Sequence, residues 1–270
     1  MPADDIPIAQ PGDRDLLAAA VREAGALALK TFRGPLRQWI KGQSSPVSEA
    51  DIAVDELLRE RLSAIAATHG WLSEETEDDP RRLQSDAVWI VDPIDGTRSY
   101  LAGREDWVIS VALAARGRPV LAAIFAPVTD EMFLAMEGAG ATCNGEPILA
   151  SREAGFEGAR LVGPKRFQNG MAKVHPTAVP LPRIGSLALR LVRVAHDAVD
   201  VAFAGGNSHD WDLAAADLLV HEAGGVMTDL EGERLVYNRP DPIHRELVAA
   251  GRARHAAMLA LLREHKVDFS

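Results

Sequence analysis

Cysteine is almost absent from this chain. Cys143 is the single cysteine in 270 residues, so neither an internal disulfide nor a metal cage built from cysteines can form. Such usage is typical of proteins from a reducing compartment. The fold must therefore rest on a hydrophobic core, and a 47% share of hydrophobic residues is enough for one large domain or two closely packed domains.

Basic clusters and long apolar runs are also lacking. The formal net charge is −10 and the lysines and arginines are scattered, so no nucleic-acid partner is expected. No run reaches the roughly 18 apolar residues of a membrane span, and the first residues carry acids where a signal peptide carries bases. The sequence predicts a soluble, cytoplasmic protein without a membrane partner, whose ligand is a small molecule.

Helical and strand patterns follow one another along the chain. Helices are predicted from Leu16 to Phe32 and from a Ser48 N-cap to Gly70, with Asp51 in the first turns of the second. The runs AVWIVD, WVISVALAARG, PVLAAIFAP and EMFLAM then predict a largely antiparallel sheet. Beyond about Ser151 strands and helices alternate. We expect an α/β protein with an α+β half over residues 1–150 and an α/β half over residues 151–270.

Two carboxylates follow a buried strand in the segment VWIVDPIDGT. The strand pattern ends at Asp92, Pro93 fixes the backbone, and Gly96 permits a sharp turn, so Asp92 and Asp95 are expected at the rim of the sheet. Carboxylates this close repel each other unless a cation lies between them, and Mg²⁺, Ca²⁺ or Mn²⁺ suits such oxygen ligands. The alternative is ordinary turn chemistry, in which Asp92 caps a helix that begins at Gly96 and Asp95 faces water.

Other acidic positions have equally ordinary explanations when each is taken alone. Glu74 and Glu75 lie in a charged loop, Asp51 is a helix-start acid, and Asp212 opens the pattern WDLAAADLLVHEAGG. As an ordered set, however, SPVSEAD, EE, DPIDGT, WDLAA and AGG resemble the inositol monophosphatase family of metal-dependent, lithium-sensitive phosphomonoesterases. The resemblance covers the chain from about Lys41 to Gly225. It implies the layered αβαβα sugar-phosphatase fold.

The resemblance also implies which residues bind metal. Glu74, Asp92 and the carbonyl oxygen of Ile94 would hold a first Mg²⁺ ion. Asp92, Asp95 and Asp212 would hold a second, with Asp92 bridging the two, and Asp95 and Asp212 would also contact the substrate. A third ion or Mn²⁺ is compatible with such a site, and Li⁺ would inhibit.

Phosphate binding and water activation are expected at the same place. The backbone amides of Gly96 and Thr97, at the start of a helix, would bind the phosphate. Glu74 and the Thr97 hydroxyl would position a water for in-line attack, and Asp51 would orient that hydroxyl. Glu75 is expected to support the site without binding metal.

The substrate is a small phosphorylated metabolite, and inositol monophosphate is the expected one because the metal-site motifs have the form of that family. Gly205 departs from the pattern, since inositol-specific members tend to carry a glutamate there that contacts the polyol. SPVSEAD also resembles 3'(2'),5'-bisphosphate nucleotidases, which act on phosphoadenosine phosphate, and DPIDGTRSY resembles histidinol phosphatases. A non-catalytic sensor of metal or phosphometabolite is a further alternative. His209 is interpreted as loop or ligand rim, and a homodimer is implied by the family.

Overall fold

The computed structural model describes residues 9–41 and 45–264. The helices within these residues are α1 (Pro11–Leu29), α2 (Glu49–Ile65), α3 (Thr97–Leu101), α4 (Lys165–Val174), α5 (Leu187–Ala195), α6 (Asp210–Glu222) and α7 (Arg252–Arg263). A 3-10 helix spans Pro80–Gln84. No helix in this part of the chain is both long enough and apolar enough to cross a bilayer.

The strands of the same residues form two large and two small sheets. In chain order they are β1 (Gln38–Lys41), β2 (Ser45–Ser48), β3 (Gly70–Ser73), β4 (Ala87–Asp95), β5 (Val108–Ala115), β6 (Arg118–Ala126), β7 (Glu131–Met136), β8 (Ala141–Cys143), β9 (Glu146–Pro147), β10 (Arg160–Val162), β11 (Val179–Pro180), β12 (Val201–Ala204), β13 (Ser208–His209), β14 (Gly225–Asp229), β15 (Ile243–His244) and β16 (Leu247–Gly251). β1 pairs with β2, and β13 pairs with β15, as the two small sheets.

The N-terminal helices confirm the predicted pattern and correct its bounds. α1 begins at Pro11 instead of Leu16, because proline suits the first helical turn and the Asp13 carboxylate accepts the backbone N–H of Gln10. α2 is capped by Ser48 as predicted, but it ends at Ile65 and not at Gly70. Gly70 instead opens β3, where a Cβ would lie 3.1 Å from the Cα of Arg82 in the 3-10 helix. The glycine is therefore needed for close packing against the 3-10 helix and not for helix capping.

The larger sheet has the strand order β3-β4-β5-β6-β7-β8-β9. All neighbouring strands are antiparallel except the parallel pair β3 and β4, which agrees with the predicted, largely antiparallel sheet. The predicted end of β4 at Asp92 is wrong, because the strand continues to Asp95, which pairs with Val108. The register shifts between Asp92 and Asp95, around Pro93, which has no N–H to donate to the ladder.

The second sheet has the order β11-β10-β12-β16-β14. β11, β10 and β12 run parallel, whereas β16 is antiparallel to both of its neighbours. This sheet therefore confirms the alternation of strands and helices predicted beyond Ser151. The prediction missed α4, whose segment KRFQNGMAKV has only Phe167 and Met171 as buried large side chains.

The elements stack in five layers. α1 and α2 cover one face of the larger sheet, α5 and α6 lie between the two sheets, and α4 and α7 cover the outer face of the second sheet. The middle core contains residues of both sheets, for example Ile90 from β4 and Ala249 from β16. The predicted αβαβα arrangement is confirmed. The division into residues 1–150 and 151–270 stays a prediction, with the change of sheet lying between β9 and β10.

Candidate active site

The irregular end of β4 carries the first two carboxylates of the site. Asp92 is 1% exposed, and its Oδ1 accepts the backbone N–H of Ile94 at 3.1 Å. This bond closes a short turn within the strand, so the Asp92 side chain does not cap α3, whose N-cap is Gly96. The turn aims both Asp92 and Asp95 into one cleft.

Asp95 is held by the N-terminus of α5. Its carboxylate accepts the Ser186 hydroxyl at 2.6 Å and the backbone N–H groups of Ala188 and Leu187 at 2.5 and 3.2 Å. Ser186 is also the N-cap of α5, since its Oγ accepts the N–H of Leu189 at 2.9 Å. Burial raises the pKa of Asp95, and the hydrogen bonds from the N-terminus of α5 oppose that rise while they fix the carboxylate in place.

The third carboxylate comes from the other half of the chain. Asp212 lies in the first turn of α6 and accepts the backbone N–H of His209 at 2.6 Å. One oxygen each of Asp92, Asp95 and Asp212 lies within 4.8 Å of the other two. The middle helical layer therefore brings a residue some 120 positions downstream against the end of β4, at a separation that a single cation can bridge.

The electrostatics of this cluster call for a cation. Burial raises the pKa of Glu74 to about 8, and the charge on Asp212 adds to that effect. Burial also raises the pKa of Asp212 to about 7, with repulsion from Asp95. The pKa of Asp92 is raised well above its usual range by burial and then by Glu74. Because these groups are carboxylates that repel one another, their oxygens fit a hard divalent cation such as Mg²⁺ or Mn²⁺.

Thr97 and Asp51 form the back of the site. The Thr97 Oγ1 lies 3.1 Å from Asp51 Oδ1 and 3.1 Å from the carbonyl oxygen of Ile94, and both can accept its proton. The other oxygen of Asp51 accepts the backbone N–H of Ser48 at 2.8 Å as part of the α2 capping box. Burial raises the pKa of Asp51, against the lowering effect of these hydrogen bonds.

Gly96 is required where β4 passes into α3. Its φ of 95° lies in the left-handed region that favours glycine. A Cβ on Gly96 would also lie 3.1 Å from the carbonyl oxygen of Asp106 and 3.2 Å from the backbone nitrogen of Ser186. Both the turn and the close approach of the α5 N-terminus therefore depend on this glycine.

These side chains line an open cleft of about 400 Å³. Its lining residues are Pro46, Glu74, Asp92, Asp95, Gly96, Thr97, Arg98, Ser99, Arg104, Arg183, Gly185 and Asp212. The acids are accompanied by three arginines, so an anion could approach the cluster once cations are bound. Of the predicted site residues, Asp51 and Ile94 are the two that lie behind the lining, both almost fully buried.

The sequence interpretation missed several residues around the cleft. Ser186 could have been noticed as an N-cap before an amphipathic helix, but its bond to Asp95 crosses 91 positions and no local pattern reveals it. Arg104 bonds the hydroxyl of Ser99 at 2.7 Å, another contact without a sequence signature. The ring of Trp211 is half-buried and stacks on that of His209, with centroids 4.5 Å apart.

Comparison with known proteins identifies the family. The sequence model of the inositol monophosphatase family matches residues 13–267. This chain belongs to the inositol monophosphatase family. An inositol-1-monophosphatase of Rhizobium meliloti (strain 1021) is 34% identical over 229 residues, which cover 81% of this chain and 85% of that protein. The Nus factor SuhB of Escherichia coli (strain K12) is 29% identical with the same coverage.

The fold agrees with this membership. The crystal structure of the extragenic suppressor protein SuhB of Bartonella henselae superimposes with a TM-score of 0.83 at 27% sequence identity, and the match covers 94% of this chain and 99% of that one. A member of this family is a phosphatase, and the family is metal-dependent. This chain is accordingly a phosphatase whose acidic cluster could hold a metal ion.

Proposed function

We propose that this chain hydrolyses the monoester of a small phosphorylated metabolite with Mg²⁺ as cofactor, and that inositol monophosphate is its substrate. The observation that carries the proposal is the meeting of Asp92, Asp95 and Asp212 within 4.8 Å in a cleft with an arginine-bearing rim. The similarity to the inositol-1-monophosphatase of Rhizobium meliloti supports the choice of substrate.

Two overlapping sets of oxygens would hold the metal ions. Glu74, Asp92 and the carbonyl oxygen of Ile94 form the first set, and Asp92, Asp95 and Asp212 form the second. When bound, such ions activate water and offset the charge on attacking and leaving oxygens during phosphoryl transfer. Mn²⁺ would substitute for Mg²⁺, and Li⁺ would inhibit, as the family resemblance implies.

The residues of the chain would position the reactants. When the Thr97 hydroxyl donates its proton to Asp51, its oxygen is left to accept a hydrogen of the attacking water. The Glu74 carboxylate would accept the other hydrogen of that water and so aim its lone pair at phosphorus. The amides of Gly96 and Thr97 would bind the phosphate oxygens. No cysteine or histidine is among the cleft-lining residues that the structure describes, which supports water as the nucleophile.

A substrate panel tests this proposal. Release of inorganic phosphate would be measured with Mg²⁺ from inositol 1-phosphate, phosphoadenosine phosphate and histidinol phosphate, and the kcat/KM values compared. We expect the highest value for inositol 1-phosphate and loss of all activity in EDTA. A higher value for phosphoadenosine phosphate would replace the proposed substrate with that of a bisphosphate nucleotidase, and activity that persists in EDTA would overturn the metal assignment.

The family resemblance further implies a homodimer. No contact of the described residues identifies the interface, so sedimentation equilibrium of the purified chain is the direct measurement.

A further inference from the structure

Arg82 is a buried cation that joins two distant parts of the chain. It lies in the 3-10 helix Pro80–Gln84, and its side chain is 1% exposed. Its Nε and Nη2 donate to the two carboxylate oxygens of Asp78 at 2.6 and 2.9 Å. Its Nη1 donates to Oδ1 of Asn238 at 2.7 Å, and its Nη2 also donates to the carbonyl oxygen of Arg239 at 3.0 Å. One guanidinium therefore bonds a residue four positions before it and another 156 positions after it.

Asn238 carries this connection to the start of α6. Its backbone N–H donates to Oδ2 of Asp210 at 2.7 Å, and the other oxygen of Asp210 lies 2.6 Å from Nε2 of His244. Asp210 is fully buried and is the first residue of α6. Asn238 and His244 thus fix the N-terminus of α6 through its first residue. Asp212, two positions further on, belongs to the acidic cluster of the cleft.

The loop of residues 74–79, which we call the acidic loop, is anchored at its start. The Ser73 hydroxyl donates to one oxygen of Asp55 in α2, and the Thr76 hydroxyl donates to the other at 2.6 Å. These two hydroxyl groups lie on either side of Glu74 along the chain. The start of the acidic loop is therefore held against α2.

Arg82 anchors the acidic loop near its other end, through Asp78. The loop is consequently held between α2 on one side and the residues that fix α6 on the other. Burial and then the charge on Asp212 raise the pKa of Glu74 to about 8, so these two carboxylates lie close enough to repel each other. The chain of hydrogen bonds from Asp78 to Asp210 therefore spans the junction at which the two acids meet.

The guanidinium makes this connection rigid. Its donors point in fixed directions in one plane, so the partners of Arg82 are fixed relative to one another. Loss of a partner would leave a buried charge incompletely compensated, which is costly. A metal site whose ligands come from separate elements depends on such fixing, because those ligands must meet in one geometry.

We propose that Arg82 and Asn238 form a brace that holds Glu74 and Asp212 at the separation required for metal binding. Both are positioning residues, since neither is among the lining residues of the cleft that the structure describes. The inference rests on the proposed function for the metal-binding roles of Glu74 and Asp212. It adds to that function a determinant of metal affinity outside the ligand set.

Calorimetric titration of Mg²⁺ into the full chain, without substrate, tests the brace. Arg82→Gln and Asn238→Gly should each raise the dissociation constant about tenfold, the lower end of the loss usual when an outer contact of a metal ligand is removed. Asn238 has a φ of 56°, which glycine also adopts, so Asn238→Gly removes the side-chain bond and keeps the N–H that donates to Asp210. The double variant should bind Mg²⁺ about as weakly as the single variants, because both changes break the same connection.

Two variants control for lost stability and for the glycine substitution. Arg254 in α7 is also buried and donates to Asp200 at 3.0 Å and to the carbonyl oxygen of Gly155 at 2.8 Å, but it lies in the outer helical layer. Arg254→Gln should lower the unfolding temperature, as Arg82→Gln does, and leave the dissociation constant of Mg²⁺ unchanged. Asn144→Gly, at a φ of 50° between β8 and β9, should also leave it unchanged.

An unchanged dissociation constant in Asn238→Gly and in any folded Arg82 variant overturns the inference. Equal weakening of Mg²⁺ binding by Arg254→Gln and Arg82→Gln also overturns it, because the effect would then come from a general loss of stability. Arg82→Lys keeps the test valid if Arg82→Gln does not fold. Lysine retains the charge but lacks the planar fork, so the dissociation constant should rise in that variant too.

Phosphate release from the esters separates this inference from the proposed function. If the brace variants bind Mg²⁺ more weakly and the unmodified chain hydrolyses no ester, only the proposed function fails. If the unmodified chain hydrolyses an ester and the brace variants bind Mg²⁺ normally, only the inference fails. Absence of Mg²⁺ binding by the unmodified chain would overturn both.

Discussion

Among the clustered acids, Asp92 alone combines almost complete burial with a single accepted hydrogen bond, since Asp95 accepts three and Asp212 is only partly buried. Asp95 accepts three hydrogen bonds from the N-terminus of α5. Asp92 accepts one, from its own turn, although it is almost fully buried. A buried carboxylate with free lone pairs and acidic neighbours is the group that gains most from a cation. At the scale of single residues, Asp92 is therefore the position where loss of one charge should matter most.

Asp92→Asn tests that argument. Asparagine has nearly the same shape, so the fold should persist, while kcat/KM for phosphate release should fall at least about 100-fold, as when a charge-stabilising group is removed from an active site. In EDTA the variant should unfold at the same temperature as the unmodified chain or above it, because one repulsive charge is gone. Activity assays and circular dichroism would measure these two effects.

Asp86→Asn is the matched control for that variant. Asp86 is exposed just before β4 and does not line the cleft, so its neutralisation should leave activity unchanged. If Asp92→Asn were as active as this control, the assignment of Asp92 to the metal site would be wrong.

At the scale of elements, features set by near neighbours could be predicted and those set by distant partners could not. The capping box of Ser48 and Asp51 joins residues three positions apart, and the sequence revealed it. The strand β4 extends to Asp95 because Asp95 pairs with Val108 of β5. The local turn residues of the motif predicted an end at Asp92, since they carry no information about that distant pairing. Gly70 was likewise predicted to end a helix, because glycine is common there. In the structure it begins β3, and its lack of a side chain allows close packing against Arg82.

The acidic residues of the candidate site were found through the order of several motifs, not through any one of them. Asp212 alone was an ordinary helix-start acid, and only the fold shows it beside Asp92. Ser186 was missed because it belongs to none of those motifs. Its importance comes from its hydrogen bond to Asp95 in another layer, which periodicity does not encode.

α5 links stability to the site through Ser186, which caps the helix and donates to Asp95. Ser186→Ala should lower the unfolding temperature by roughly 2–4 °C, since loss of an N-cap costs about 1 kcal/mol. It should also reduce kcat/KM, because Asp95 loses the hydroxyl group that helps to orient its carboxylate toward the proposed metal site. Calorimetry and phosphate release would measure the two effects.

Ser186→Thr is the control, because threonine keeps the hydroxyl that both caps α5 and bonds Asp95. It should retain more stability and activity than Ser186→Ala. Equal activity of the alanine variant and the unmodified chain would show that the hydroxyl bond does not position Asp95.

At the scale of the whole molecule, the acidic cluster lies where two layers meet. Asp92 and Asp95 belong to the larger sheet, and Asp212 belongs to the helical layer between the sheets. A cation among them would attract groups that otherwise repel across this junction. Because the unfolded chain cannot bring together residues so far apart in sequence, the cation should bind the folded state alone and stabilise it.

Mg²⁺ should therefore raise the unfolding temperature. At a concentration about 100 times the dissociation constant, binding to the native state alone adds about 2.7 kcal/mol. For a chain of this size that gain corresponds to an increase of roughly 5–10 °C. Scanning calorimetry in MgCl2 and in EDTA at matched ionic strength would measure it. Asp212→Asn should lose most of the increase and Asp86→Asn should keep it, because only Asp212 completes the cluster. An equal increase in both variants would mean that Mg²⁺ acts on the general surface charge and not at the junction of the layers.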